Sequence, residues 1–179
     1  MSEQLGQAIA PDTLRLERLL PGPIERIWAY LTEGEKRAQW FAGGEMEPRT
    51  GGSMELTFDH DKLSDEKYPE DWRHMKGKSF SARVLRYEPY TALAYTFGPG
   101  PEQSEVTFEL TPRGSEVLLV LTHRKIAKRD DMLQFSGGWH THVGILEDIL
   151  HDRKHRPFWT THAKMKAEYA AHLGAKHAA

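Results

Sequence analysis

Hydrophobic residues recur at every second position in several stretches of the chain, which is the spacing of strands that bury one face. The alternation is clearest where Val106, Phe108 and Leu110 are separated by polar residues. Short links rich in glycine and proline separate the later stretches, and such links join antiparallel neighbours. The pattern predicts six strands, at 13–20, 53–58, 79–87, 92–97, 104–111 and 116–124.

Two short helices are predicted directly after the first strand. Pro23 is suited to the first turn of a helix, because the N–H it lacks would have no partner there. The helix that follows is predicted from apolar residues that share one helical face: Ile24, Ile27, Trp28 and Leu31. A second helix is predicted from Glu35 to Trp40, and Gly43 and Gly44 then turn the chain.

A long C-terminal helix is predicted around an apolar stripe made by Trp139, Val143, Leu146 and Leu150. Gly137 and Gly138 inside a helix would cost roughly 2 kcal/mol relative to alanine. Either the helix begins at these glycines or close packing offsets the loss. Pro157 ends the run, and a last helix carrying Phe158, Met165 and Tyr169 is predicted to stop before Gly174.

These elements predict the fold class and the domain organisation. The class is α+β, with an antiparallel six-stranded sheet wrapped around the long C-terminal helix. The segment 59–77 is charged and aperiodic, which predicts a long loop or lid. We expect a single domain over residues 12–173, with residues 1–11 and 174–179 as flexible termini.

Composition and charge narrow the classes of partner. The net charge is −2, and the 24 basic residues are interspersed among the 26 acidic ones, so no phosphate-binding face is expected and nucleic acid is excluded as a partner. The chain has no cysteine, which suits a reducing compartment and favours a cytoplasmic location. No apolar run approaches the roughly 18–20 residues that span a bilayer, so membrane insertion is not expected.

Short sequence segments, in a fixed order, resemble those of the START-like (SRPBCC, Bet v-like) superfamily. The branch is similar to the C-terminal domain of the heat-shock chaperone ATPase activator homologues. These segments lie at 16–21, 24–28, 40–41, 87–89, 93–96, 106–110, 119–124 and 137–139. The resemblance implies a helix-grip fold with an elongated, mostly apolar cavity between the sheet and the long helix. It implies no common catalytic residue, and the 59–77 insertion and Pro157 depart from the family pattern.

Ten residues are candidates to line that cavity. They are Trp28, Trp40, Phe41, Phe58, Trp72, Tyr95, Phe108, His123, Trp139 and Val143. Six of them, Trp28, Trp40, Phe58, Tyr95, Phe108 and Trp139, are first of all ordinary core material. His123 ends a strand, where its imidazole could orient a ligand or act as a general base, or could be hydrogen-bonded at the sheet edge.

The sequence gives little support for metal binding, cofactor binding or catalysis. His140 and His142 lie roughly 200° apart on a helix and cannot bind one ion. His151 and His155 share a helical face, but spacing fixes no third ligand, so no metal is predicted. Phosphate-binding loops, dinucleotide fingerprints and nucleophile elbows are missing from the sequence, and no cofactor or catalytic residue is predicted.

Three functions remain as hypotheses. The first is a binding protein for a small hydrophobic molecule held in an apolar cavity. The second is a chaperone-interacting module, which the family resemblance implies. The third is a cyclase- or hydrolase-type enzyme in which His123 acts as a base, assisted by the loop around Trp72. A homodimer is left open.

Overall fold

The computed structural model describes residues 4–175, which form one sheet and four helices. The strands are β1 (Gln7–Ala10), β2 (Thr13–Pro21), β3 (Ser53–Thr57), β4 (Ser79–Glu88), β5 (Ala92–Phe97), β6 (Ser104–Arg113) and β7 (Glu116–Arg124). The helices are α1 (Ile24–Thr32), α2 (Gly34–Arg37), α3 (Arg129–Leu150) and α4 (Phe158–Ala175). The α+β class and the helix-grip architecture predicted from the sequence are confirmed.

The sheet is antiparallel throughout, and its strand order is β1-β2-β7-β6-β5-β4-β3. It therefore has seven strands. The predicted count of six is wrong because the prediction did not include the edge strand β1. That strand pairs Gln7 with Arg15 and Ala8 with Leu14 across a tight turn. Its pairing comes from backbone hydrogen bonds, and only Ile9 is a large apolar residue, so no alternating pattern marked it.

The core lies between one face of the sheet and α3. Alternate residues of β2, β6 and β7 are buried there, as the period of two predicts. The apolar face of α1, made by Ile27, Trp28 and Leu31, is also buried. The helix α2 is a single turn that ends at Arg37, shorter than predicted, and the chain then passes Trp40 and Phe41 into the core.

The long helix begins at Arg129, well before its two glycines. A Cβ atom built on Gly137 would lie 3.2 Å from the backbone nitrogen of Lys166, so this glycine lets α4 approach closely. A Cβ on Gly138 would meet no atom within 4 Å. Further along, the carboxylate of Asp148 accepts hydrogen bonds from Nε (2.8 Å) and Nη2 (2.9 Å) of Arg156, which holds the turn between α3 and α4.

Alanine at the two adjacent glycines is expected to act in opposite directions on stability. Gly138→Ala should raise the free energy of unfolding by up to about 1 kcal/mol, the helix-propensity difference. Gly137→Ala gains the same propensity but presses on the backbone of α4, and overpacking costs about 1–3 kcal/mol. Urea unfolding followed by circular dichroism measures both, and equal stabilisation by the two variants would show that Gly137 makes no close contact.

The predicted loop at 59–77 is folded against α4. It contains two 3-10 helices, His60–Lys62 and Glu70–Met75. The carboxylate of Glu66 accepts hydrogen bonds from the backbone N–H groups of Trp159 (2.7 Å) and Thr160 (3.2 Å). Burial raises the pKa of Glu66, but these and the other hydrogen bonds to it outweigh burial and lower it. The segment therefore caps the first turn of α4 and is fixed in place.

Candidate functional site

A pocket of about 420 Å³ lies where the 59–77 segment, the β5–β6 turn, α3 and the start of α4 meet. Aromatic side chains supply most of its wall. Its lining residues are Phe41, Phe58, His60, Trp72, His74, Met75, Lys78, Phe80, Phe97, Gly98, Pro99, Gln134, Phe135, Gly138, Trp139, His142, Phe158, Trp159 and His162. The volume falls within the range of small-molecule sites, roughly 300–1,000 Å³.

One face of α3 forms one wall of the pocket. Gln134, Gly138 and His142 are spaced four residues apart, so they lie above one another on the helix surface. Gly138 is in the middle of this row, where a side chain of any size would occupy space that is now open. The missing side chain therefore adds to the volume of the pocket.

Closely packed rings hold the pocket walls. Phe41 lies 4.8 Å from Trp139 and 5.4 Å from Phe58, measured between ring centroids. Phe158 and Trp159, from the first turn of α4, lie 4.7 Å and 4.9 Å from the imidazole of His60. These rings come from segments far apart in the sequence, and their contacts join the residue that follows β3, α3, α4 and the 59–77 segment at one place.

Three buried histidines in the wall are neutral at pH 7. Burial, together with a smaller contribution from the other histidines nearby, lowers the pKa of His142 to about 3 and that of His60 to about 4. Burial also lowers the pKa of His162 to about 4. Neutral imidazoles offer one donor and one acceptor nitrogen each, so the pocket combines apolar walls with uncharged hydrogen-bonding groups.

The structure places four of the ten predicted cavity residues in the pocket wall. These are Phe41, Phe58, Trp72 and Trp139. The other six, Trp28, Trp40, Tyr95, Phe108, His123 and Val143, are buried and do not line it. The open volume lies beside the first half of α3, whereas the second half, around Ile145 and Leu146, is packed without exposure.

His123 is held on both ring nitrogens. The indole N–H of Trp139 donates to Nδ1 at 2.9 Å, which leaves the proton of a neutral ring on Nε2. Nε2 lies 2.6 Å from Oγ of Ser104, and that hydroxyl donates to the carbonyl of Phe97. Burial lowers the pKa of His123 to about 3. A nitrogen that already carries its proton cannot take one from Ser104, so this geometry gives the pair a structural role.

His140 and His142 on α3 have separate hydrogen-bond partners. His140 lies 3.0 Å from the hydroxyl of Tyr169, whereas His142 bonds the backbone of Trp40, so the two rings point to different sides of α3, as predicted. Within residues 4–175, no three His, Asp or Glu side chains converge as a metal site would require. Over the same residues, no helix is long and apolar enough to cross a membrane.

Sequence reasoning missed the histidines of the pocket. Tertiary structure brings His60, His142 and His162 together from three segments, and their spacing in the chain gives no motif. The Phe158-Trp159 pair after Pro157 was a usable signal, because two large rings at a helix start need a partner surface. The surface they pack on is the 59–77 segment, which no pattern assigned to the core.

Comparisons with known proteins agree with this fold. The family model described as "Activator of Hsp90 ATPase homolog 1-like protein" matches residues 21–151. A Bordetella parapertussis protein solved by solution NMR is 40% identical, with a TM-score of 0.80 over 94% of this chain and 92% of that one. A search of curated proteins finds no match.

Two more distant structures show the fold alone. CalU16 from Micromonospora echinospora is 19% identical, with a TM-score of 0.66 over 89% of this chain and 86% of that one. The Aha1 protein of Colwellia psychrerythraea, solved as a dimer, is 16% identical, with a TM-score of 0.59 over 77% of this chain and 95% of that one. By the extent of the family match and the 40% identity, this chain belongs to the family of Activator of Hsp90 ATPase homolog 1-like proteins.

Proposed function

We propose that this protein binds a small, largely apolar molecule in the pocket beside the first half of α3. The observation that carries the proposal is the pocket itself, about 420 Å³ and walled mainly by aromatic rings. Small-molecule sites are typically clefts of this size, lined mainly by hydrophobic and aromatic side chains with a few polar groups. Lys78, which is exposed, is the one lysine or arginine of the described lining, and His60, His142 and His162 are neutral at pH 7, so a neutral ligand suits the interior.

Several contacts suggest that the pocket is preformed. Glu66 fixes the 59–77 segment to the start of α4, and the ring contacts of Phe41 fix α3 against the sheet. A site that needs little ordering on binding loses less affinity to conformational entropy. We therefore expect ligands to bind without a large change in secondary structure.

Fluorescence titration with the neutral apolar probe N-phenyl-1-naphthylamine tests the proposal. We expect saturable binding of one probe per chain with a dissociation constant of about 1–50 μM, the range for small apolar contacts without optimised polar ones. Quenching of tryptophan emission should accompany it, because Trp72, Trp139 and Trp159 line the pocket. Fluorescence that rises linearly with probe, without saturation, would count against a binding site.

The family description favours a second candidate, a module that acts on a chaperone ATPase. A chaperone ATPase rate that is unchanged by this protein would remove that candidate and leave the pocket untouched. The homodimer that the sequence left open stays a hypothesis, since the likeness to the dimeric Aha1 protein is at 16% identity.

A further inference from the structure

Two imidazoles of the pocket wall each use one ring nitrogen in a hydrogen bond and leave the other without a protein partner among the described residues. His142 and His60 are 7% and 6% exposed, and each uses only Nδ1 in a hydrogen bond within residues 4–175. Neither Nε2 belongs to the fully enclosed polar atoms that lack a partner. Both rings line the pocket, and we infer that each Nε2 opens into it.

The bond at Nδ1 fixes the tautomer of His142. Nδ1 lies 2.8 Å from the carbonyl oxygen of Trp40, and a carbonyl can only accept. The proton therefore sits on Nδ1, and Nε2 is an unprotonated acceptor directed at the pocket. Only a ligand that carries an O–H or N–H donor satisfies such an atom.

The network around His60 gives the opposite tautomer. The hydroxyl of Tyr68 accepts from the backbone N–H of His60 at 2.7 Å and lies 3.2 Å from its Nδ1. In the described part of the chain, Nδ1 is the one acceptor within reach of that buried hydroxyl hydrogen. Tyr68 therefore donates to Nδ1, and Nε2 carries the proton and presents a donor to the pocket.

The pocket wall thus holds one donor and one acceptor on neighbouring rings. The ring centroids of His60 and His142 are 5.8 Å apart, close enough for one oxygen atom at about 2.8–3.0 Å from a nitrogen of each ring. A hydroxyl oxygen is the group that donates once and accepts at the same time. Flat rings surround the pair, since Phe41 and Phe158 lie 5.1 Å and 4.9 Å from His142.

We propose that the pocket takes a ligand with a phenol-type hydroxyl, which donates to Nε2 of His142 and accepts from Nε2 of His60. The aromatic ring of the ligand packs among Phe41, Phe58, Phe158 and Trp159. A carboxylate is disfavoured, because its oxygens can only accept and would face the lone pair of His142. This inference rests on the proposed function, whose pocket it uses.

Three naphthalenes of equal ring size test the inference by calorimetric titration at pH 7.5. We expect 2-naphthol to bind about tenfold more tightly than 2-methoxynaphthalene, which cannot donate, and more tightly than 2-naphthoate. In His142→Asn, the amide can keep the bond to Trp40, but Nε2 is lost. The variant should therefore bind 2-naphthol and 2-methoxynaphthalene with about equal affinity. His155→Asn, at an exposed position outside the pocket, should keep it.

The tautomers give a second readout that needs no variant. Long-range ¹H–¹⁵N correlation NMR of the unliganded protein should find His142 protonated on Nδ1 and His60 on Nε2. Equal affinity for 2-naphthol and 2-methoxynaphthalene, or a proton on Nε2 of His142, would overturn the inference and leave apolar binding standing. No binding of any naphthalene would overturn both.

Discussion

Lowering the pH from 7.5 to 5.5 should remove about 5 kcal/mol from the free energy of unfolding, because four buried histidines resist protonation. Burial lowers the pKa of His123 and His142 to about 3, and that of His60 and His162 to about 4. In the unfolded chain, each has the ordinary value of about 6.5. At pH 5.5 each histidine therefore contributes about 1.3 kcal/mol to the difference.

The direction follows from proton counting. Between about pH 6.5 and 4 the unfolded chain binds more protons than the folded one, so stability falls as the pH falls. The histidine contribution is complete above about pH 7 and is lost progressively towards the folded-state pKa values. The depressed pKa values of Glu66 and Asp148 add a similar loss only below about pH 4.5, so the interval from 6.5 to 5.5 isolates the histidines.

Urea unfolding at pH 7.5, 6.5 and 5.5 measures the effect as a shift of the midpoint. His142→Asn should flatten the dependence by about 1 kcal/mol at pH 5.5, whereas His151→Asn, at an exposed position, should leave it unchanged. A midpoint that stays constant from pH 7.5 to 5.5 would mean that the four imidazoles are not sequestered from water.

Replacing Arg37 with methionine should lower the free energy of unfolding by more than about 3 kcal/mol. The side chain is 1% exposed, and its guanidinium donates to the carbonyl oxygens of Gly44 (2.7 Å) and Ala42 (2.9 Å). Longer bonds reach Thr32, Gly43 and Glu55. Methionine fills a similar volume but leaves these buried acceptors without a donor. Lysine cannot replace the planar fork of donors.

The same variant should also disturb the pocket. Arg37 holds the 42–44 backbone, and this segment directly follows Trp40, whose carbonyl anchors His142, and Phe41, a wall residue. The control is Lys36→Met, which removes only a surface pair with Glu33 and should change stability by less than about 0.5 kcal/mol. Arg37→Met within about 1 kcal/mol of the wild type in urea unfolding would contradict this role.

Periodicity predicted most of the elements because burial is one-sided in them. Leu14, Leu16 and Leu20 mark β2 in the sequence and are buried in the structure. The face of α1 and the stripe on α3 follow from the same rule, applied at the helical period. The strand β1 was not predicted, because an edge strand can form from backbone pairing alone.

The pocket was harder to predict, since its residues meet only through tertiary structure. Phe41, Phe58, Trp72 and Trp139 were named as candidate cavity residues, yet nothing separates them in sequence from Trp40 or Phe108, which are packed away from the pocket. Charge along 59–77 predicted a loop, but Leu63 and Tyr68 in it are buried. The role of Arg37 has no sequence signal, because the sequence does not distinguish a buried arginine in a helix from an exposed one.

If the open volume over Gly138 is a binding site, the affinity for an apolar probe must depend on the size of the side chain at that position. N-phenyl-1-naphthylamine should bind Gly138→Ala within about threefold of the wild type, because one methyl group takes little of the 420 Å³. Gly138→Leu should fold, since the space is open, and should raise the dissociation constant at least about tenfold by filling that space. Unchanged probe affinity in a folded Gly138→Leu protein would contradict the account.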